Sequence, residues 1–286
     1  MYLPEQISQG RVLILVKTYP MPSSSYGETV CTAGLLDGEK WVRLHPISWQ
    51  MLEDDQKYPK YTWIQLDLIR NQTDFRQETY RPRLGFDEPI QVVGHIDTAA
   101  DWAARKEYVC REVFTSMEDL LRLAKSDGSK SLATLKPSEI VDFIVEPETD
   151  PNWKPQWLLQ AKQTSLFDLD AEGTARRRRL VRKLPSRFKY RFMVSGENRP
   201  RTMTIQDWEI GALFWNCLRR AKGDEEEANR QVRFKYLDEF VSRRDLYLFL
   251  GTHYRYHRKN APDPFMIVGV FYPPKVSQLT MFPIGR

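Results

Sequence analysis

The residues best equipped to meet a polyanion lie in one short span. Arg176, Arg177, Arg178, Arg179, Arg182, Lys183, Arg187, Lys189 and Arg191 fall within residues 176–191, a span without a single acid. Each such cation can displace a condensed counterion from a phosphate backbone. Phe188, Tyr190 and Phe192 alternate with the last three cations. On a strand, residues two apart share a face, so the aromatics would enter a core while the cations look outward. The plain alternative is a solvated basic edge strand whose charge deters aggregation.

A second group gathers in the loop 17–26. Lys17, Tyr19 and Tyr26 stand there with three serines, and Arg43 and His45 follow on the next strands. Hydroxyls, cations and aromatics on a barrel rim can cup a base or a phosphate, although a proline-stiffened loop accounts for the same composition. Arg70, Arg76, Tyr80, Arg81 and Arg83 can extend that surface or be solvated loop charge. A third group, Arg255, Arg258 and Lys259 with Tyr254 and Tyr256, reads as a basic aromatic loop able to stack and to touch phosphate. His253 and His257 are four apart, but no third or fourth ligand lies near, so no metal site is expected.

Two short peptides point to protein partners. Gln163 with Leu166 and Phe167, and Gln278 with Leu279, Met281 and Phe282, share a Gln followed by two hydrophobic residues at the same spacing. Both resemble the pentapeptide that docks bacterial DNA enzymes onto the replication sliding clamp, with Gln setting the register and the apolar pair filling a pocket. The alternative is that these apolar pairs pack back onto their own chain.

Motifs for catalysis are missing. There is no Gly-rich phosphate loop, no HExxH and no GxSxG, and no cofactor is implied. Asp67 and Glu139 are the nearest approach to a nuclease-type acid, and both read better as surface or capping carboxylates. The chain has 286 residues, 41% hydrophobic and 28% charged, with a formal net charge of +5. That supports a real core and suggests a polyanionic partner. Cys31, Cys110 and Cys217 are odd in number and far apart, which speaks against a disulfide framework or a zinc ribbon. No secretory signal and no run long enough to span a bilayer is visible, so a cytoplasmic protein without membrane contact is expected.

These groups need elements to hold them. Residues 11–18 (RVLILVKT) form an apolar, β-branched run that reads as a central strand. Strands at 29–35 and 40–45 flank an Asp37-Gly38 turn, a hairpin signal. Residues 61–69 and 90–96 complete five short strands within the first 98 residues, which suits a small barrel. Apolar residues then recur at helical spacing over 99–125, with Ser116 placed as an N-cap. Strands follow at 140–145 and 186–193, helices at 207–218 and 225–241, and a strand pair at 246–250 and 265–271.

The order of short motifs along the chain resembles bacterial proteins described as containing a dual OB-fold domain. The motifs are Cys31-Thr32-Ala33-Gly34, Trp41-Val42-Arg43, Phe188-Lys189-Tyr190-Arg191-Phe192, Thr204 to Trp208, and Leu246 to Gly251 followed by Phe265 to Phe271. The resemblance implies an α+β protein of two small OB-like β-barrels with helical insertions. The expected division is a first barrel over 1–98, a helical connector over 99–135, and a second barrel over 136–286 with an insertion near 206–243. It also implies the context of antiphage defence. The expected function is a non-catalytic nucleic-acid-binding accessory in DNA maintenance or defence, with DNA favoured over RNA and contact to a sliding clamp or a larger defence complex. The alternatives are a protein-binding adaptor subunit, and a nuclease or modified-nucleotide sensor.

Overall fold

The computed structural model describes residues 3–23, 27–47, 52, 57–83, 89–126, 129–150, 152–155 and 181–275. The first seven strands are β1 (Gln6–Lys17), β2 (Met21–Ser23), β3 (Gly27–Leu36), β4 (Lys40–Ile47), β5 (Thr62–Arg70), β6 (Thr79–Pro82) and β7 (Gln91–His95). Five of them close a ring in the order β1-β3-β4-β6-β5, with β5 pairing back onto β1. The β4–β6 contact is parallel and the other four pairings of the ring are antiparallel. Asp37 and Gly38 both take positive φ, 50° and 77°, the backbone that a tight hairpin between right-twisted strands requires.

β1 is apolar without alternation because both of its faces are covered. Val12 and Ile14 point into the barrel with Val42, Leu44, Ile64 and Leu66. Leu13, Leu15 and Val16 point the other way and join Ala33, Leu35, Leu132, Phe249, Val268 and Phe271 in a second core. Each such burial stabilises the fold by roughly 2 kcal/mol. The strands approach so closely that a Cβ on Gly34 would stand 2.1 Å from the Leu13 carbonyl oxygen, so glycine is required there.

Beyond the barrel come α1 (Ala99–Val109), β8 (Val113–Phe114), α2 (Met117–Ala124) and β9 (Leu132–Leu135). Ser116 caps α2 by accepting from the Asp119 amide at 3.3 Å. The stretch expected as a helical connector, 99–135, carries α1 and α2 and also supplies two strands to the C-terminal half. Next are β10 (Glu139–Pro147), β11 (Ser186–Met193), β12 (Arg201–Thr204), α3 (Trp208–Arg220) and α4 (Glu225–Arg233). A π-helical segment, Phe234–Glu239, runs on into α5 (Phe240–Arg243). β13 (Tyr247–Thr252), α6 (Tyr254–Arg258) and β14 (Phe265–Phe271) end the described chain.

The chain is therefore α+β with one closed barrel among the described residues, and a second barrel is not seen among them. Among the described residues the C-terminal half forms two open sheets, β10-β11-β12 and β14-β13-β9-β8, linked by a bridge from Ile205 to Ile267. The reason is visible in the chain. β12 is only four residues long and β8 only two, and after Asp207 the backbone turns into helix instead of extending a strand. The β10–β11 sheet is covered by those helices, with Phe188, Tyr190 and Phe192 packed with Phe214, Val232 and Tyr236.

A buried ion pair ties the halves together. Lys60 Nζ lies 2.7 Å from the Asp207 carboxylate, and both side chains are almost fully excluded from solvent. Asp207 also caps α3, accepting from the Glu209 amide at 3.2 Å. No helix among the described residues is long and apolar enough to cross a membrane.

Candidate nucleic-acid interface

The first turns of α3 build an aromatic floor. Trp208, Ala212, Trp215 and Arg219 recur at intervals of four, three and four, so they share one face. Ile210, Phe214 and Cys217 occupy the opposite, buried face. Tyr19, from the segment between β1 and β2, sets the Cδ2–Cε2 edge of its ring against that helix at Gly211. A Cβ on Gly211 would come within 2.2 Å of the Tyr19 ring, so only glycine admits it. The Tyr19 hydroxyl donates to the Arg182 carbonyl at 2.7 Å and accepts from Trp215 Nε1 at 2.7 Å. The Arg182 guanidinium sits 4.1 Å from the centre of the Trp215 ring. These groups line an open trough of about 690 Å³ whose rim carries Arg182, Arg219 and Lys222. No acid among the described residues is placed as an ion-pair partner of those three cations.

Two smaller concavities adjoin the trough. Tyr19 also lines a space of about 160 Å³ with Trp153, Lys183 and Arg187. Trp153 Nε1 donates to the Val181 carbonyl at 2.7 Å, and Lys183 Nζ lies 5.5 Å from its ring centre. Met21 and Gln206 line this space and also a cleft of about 240 Å³ between the barrel and the C-terminal sheet.

The cleft rests on the outer faces of β3 and β4. Strand alternation sends Val42 and Leu44 into the barrel core and Arg43 and His45 into the cleft. Arg43 donates to Thr79 Oγ1 at 3.1 Å and to the Ser131 carbonyl at 3.3 Å, with Glu78 3.7 Å away. Arg76 holds Asp74 in a fork and donates to the Thr252 carbonyl at 2.8 Å, which joins the barrel to β13. Burial, then the charges of Arg43 and Arg76, push the His45 imidazole down to about 4, so it is neutral at neutral pH. Burial, then Arg255 and Arg76, also lower His253. A further cavity of about 510 Å³ near Trp41 carries Glu39, Glu78 and Glu112, an acidic lining that opposes a polyanion.

The structure redistributes the residues expected from sequence. The β11 alternation is present, with Phe188, Tyr190 and Phe192 buried and Arg187 and Arg191 exposed. Its cations, however, face acids on β10. Lys189 and Arg187 lie 2.6 and 3.6 Å from Glu146, and Arg191 is in register with Asp142. Lys17 is not on a rim. It is 6% exposed, donates to the Tyr58 carbonyl at 3.1 Å and sits 4.9 Å from the Trp208 ring centre. Burial, then the like charge of Lys60, push its ammonium down to about 8. Arg43, 3% exposed, lines the cleft and no surface.

Arg255, Arg258 and Lys259 are exposed on and just after α6, a helix where a loop was expected. His257 is structural, sharing hydrogen bonds with Thr252 Oγ1 and the Ala124 carbonyl, and no metal-holding group is found among the described residues. Asp67 accepts from the Gln9 amide at 2.7 Å. Tyr26, Arg176, Arg177, Arg178, Arg179, Gln163, Leu166, Phe167, Gln278, Leu279, Met281 and Phe282 lie outside the described residues.

Sequence reasoning missed Trp208, Trp215, Arg219 and Lys222. Their four-three spacing on a helix was available as a signal, but it marks a site only once Tyr19 is seen on Gly211.

Comparison with known proteins is brief. No curated protein matches the chain. A model described as "Domain of unknown function (DUF8758)" matches residues 8–111, the barrel and α1. A second model matches residues 113–284, which is more than half of the chain and carries α3, β11 and the C-terminal wall of the cleft. The chain therefore belongs to the family described as "Domain of unknown function (DUF8757)".

Proposed function

We propose that the protein is a non-catalytic binder of single-stranded nucleic acid, held along the trough that leads from Lys222 to Tyr19. The observation that carries this reading is an aromatic floor under a cationic rim. Successive bases stack on rings without regard to sequence, while Lys and Arg follow the phosphates. The ring order β1-β3-β4-β6-β5, with its parallel β4–β6 pair, supports an OB-like barrel. In that fold, ligands meet the second and third strands and the loops after the first and fourth. Those places correspond here to Cys31, Arg43 and His45 on β3 and β4, to Tyr19 and Met21, and to Arg76. The net charge of +5 favours the same class of partner.

The test is anisotropy of labelled single-stranded DNA and RNA titrated with wild type and Trp215→Ala. Loss of one stacking platform is expected to weaken binding by about 5- to 150-fold, since stacking contributes ~1–3 kcal/mol per base. Trp215→Phe should recover most of it. Equal binding by Trp215→Ala and wild type, or no binding of either strand by wild type at low salt, would overturn the reading.

A further inference from the structure

The cleft has features that the trough does not explain. His45 Nδ1 and His253 Nδ1 are buried there, and neither has a hydrogen-bond partner among the described residues. A buried polar atom without a partner is costly, and in native proteins it calls for a ligand or a role. The two imidazoles come from opposite walls, His45 from β4 and His253 from the turn between β13 and α6. The lining also brings apolar side chains, Val16, Ala33, Leu132, Val268, Met21 and Met266, beside the polar Thr18 and Gln206.

The charges of the cleft are already matched. Arg43 and Arg76 are held by Glu78 and Asp74, so no excess of positive charge is left to attract a phosphate. What remains is a neutral slot with two uncommitted ring nitrogens and apolar sides. About 240 Å³ is smaller than the ~300–1,000 Å³ of pockets for drug-sized ligands. That is room for one heterocycle with its sugar, and too little for a stack of two.

We infer that the cleft takes a single unpaired nucleobase, gripped between its apolar walls and read along its polar edge by His45 and His253. The inference rests on the nucleic-acid reading of the adjoining trough, and it makes the protein selective where the trough alone would be indifferent. Enzymes that act on a base likewise draw it out of the stack into a fitted pocket and read its edge by hydrogen bonds. Here the pocket serves recognition. The base can arrive on a strand or as a free nucleoside, and the two sources are separable.

The experiment has two arms on the full chain. In the first, single strands of the four homopolymers, together with a strand of abasic sites, are titrated by anisotropy. In the second, the four free deoxynucleosides are titrated by calorimetry. Wild type is compared with His45→Gln and with His253→Phe, the latter placed at a turn outside the barrel so that the fold survives. The expected result is a preference of at least about tenfold for one base over the others. Both variants should flatten that preference and leave abasic-strand affinity within about twofold of wild type. Strand binding without base preference, and without nucleoside heat, overturns the cleft inference and leaves the trough reading standing. Nucleoside binding that His253→Phe abolishes, with no strand binding at all, upholds the cleft and overturns the trough. Silence in both arms overturns both.

Discussion

The trough and the cleft sit side by side, yet they are built on opposite plans. The trough is open, its cations lack acidic partners among the described residues, and its floor is three aromatic rings. The cleft lies between two sheets, its arginines are matched by Glu78 and Asp74, and its distinctive groups are two histidines whose Nδ1 atoms lack partners among the described residues. An open basic surface acts through field and stacking, which reach many ligands and weaken with salt. A narrower, charge-balanced slot acts through fit, because any group that fails to satisfy its buried atoms is rejected. On the proposed reading, one molecule separates holding on from telling apart.

The largest expected effect sharpens the contrast on the side of the cleft. Folded His45 titrates at about 4, against about 6.5 unfolded. Between those values the unfolded chain binds more protons than the folded one. Stability is therefore present above pH 6.5 and is lost as pH falls toward 4, by about 3 kcal/mol. Urea unfolding across that range should show the loss, and His45→Gln should flatten it. An identical acid slope in the variant would mean that the cleft admits charge.

A smaller effect tests the trough. Changing Arg182, Arg219 and Lys222 together to Ala should reduce the slope of log affinity against log salt by about 2, given ~0.7 per phosphate contact on a single strand. The same change at Arg187, Lys189 and Arg191 should reduce it by less than half as much, because β10 acids already face those cations. The opposite ranking would move the phosphate path to β11. The smallest effect comes from Glu146→Gln, which releases Lys189 and Arg187. A few-fold gain in low-salt strand affinity is expected, with Tm unchanged. No gain would show that the β11 row lies off the path of the strand.

How much of this was legible beforehand differs by scale. β11 was readable to the residue, 186–193, because a period-two pattern with one buried face is a local property. Its charge was not, because Glu146 belongs to a strand some forty residues earlier and only register brings it to Lys189. Lys17 could have been read as buried, since it directly continues Val12 to Val16, which has no polar phase. The second barrel was implied by the resemblance in motif order, and motif order says nothing about closure. The β4–β6 pairing that closes the first ring spans only two residue pairs. The cleft joins His45 to His253 across more than two hundred residues of sequence, and no spacing rule covers such a distance.

The double burial of β1 has a consequence for the life of the chain on the ribosome. Leu13, Leu15 and Val16 find their outer partners in Phe249, Val268 and Phe271, close to the far end of the sequence. At ~5–20 residues per second, roughly 10–50 s separate synthesis of the two sides. During that interval a closed barrel must carry a bare apolar flank. Nascent chains would therefore be expected to depend on a chaperone until β13 and β14 emerge, and a truncated product ending before β13 to accumulate in the insoluble fraction.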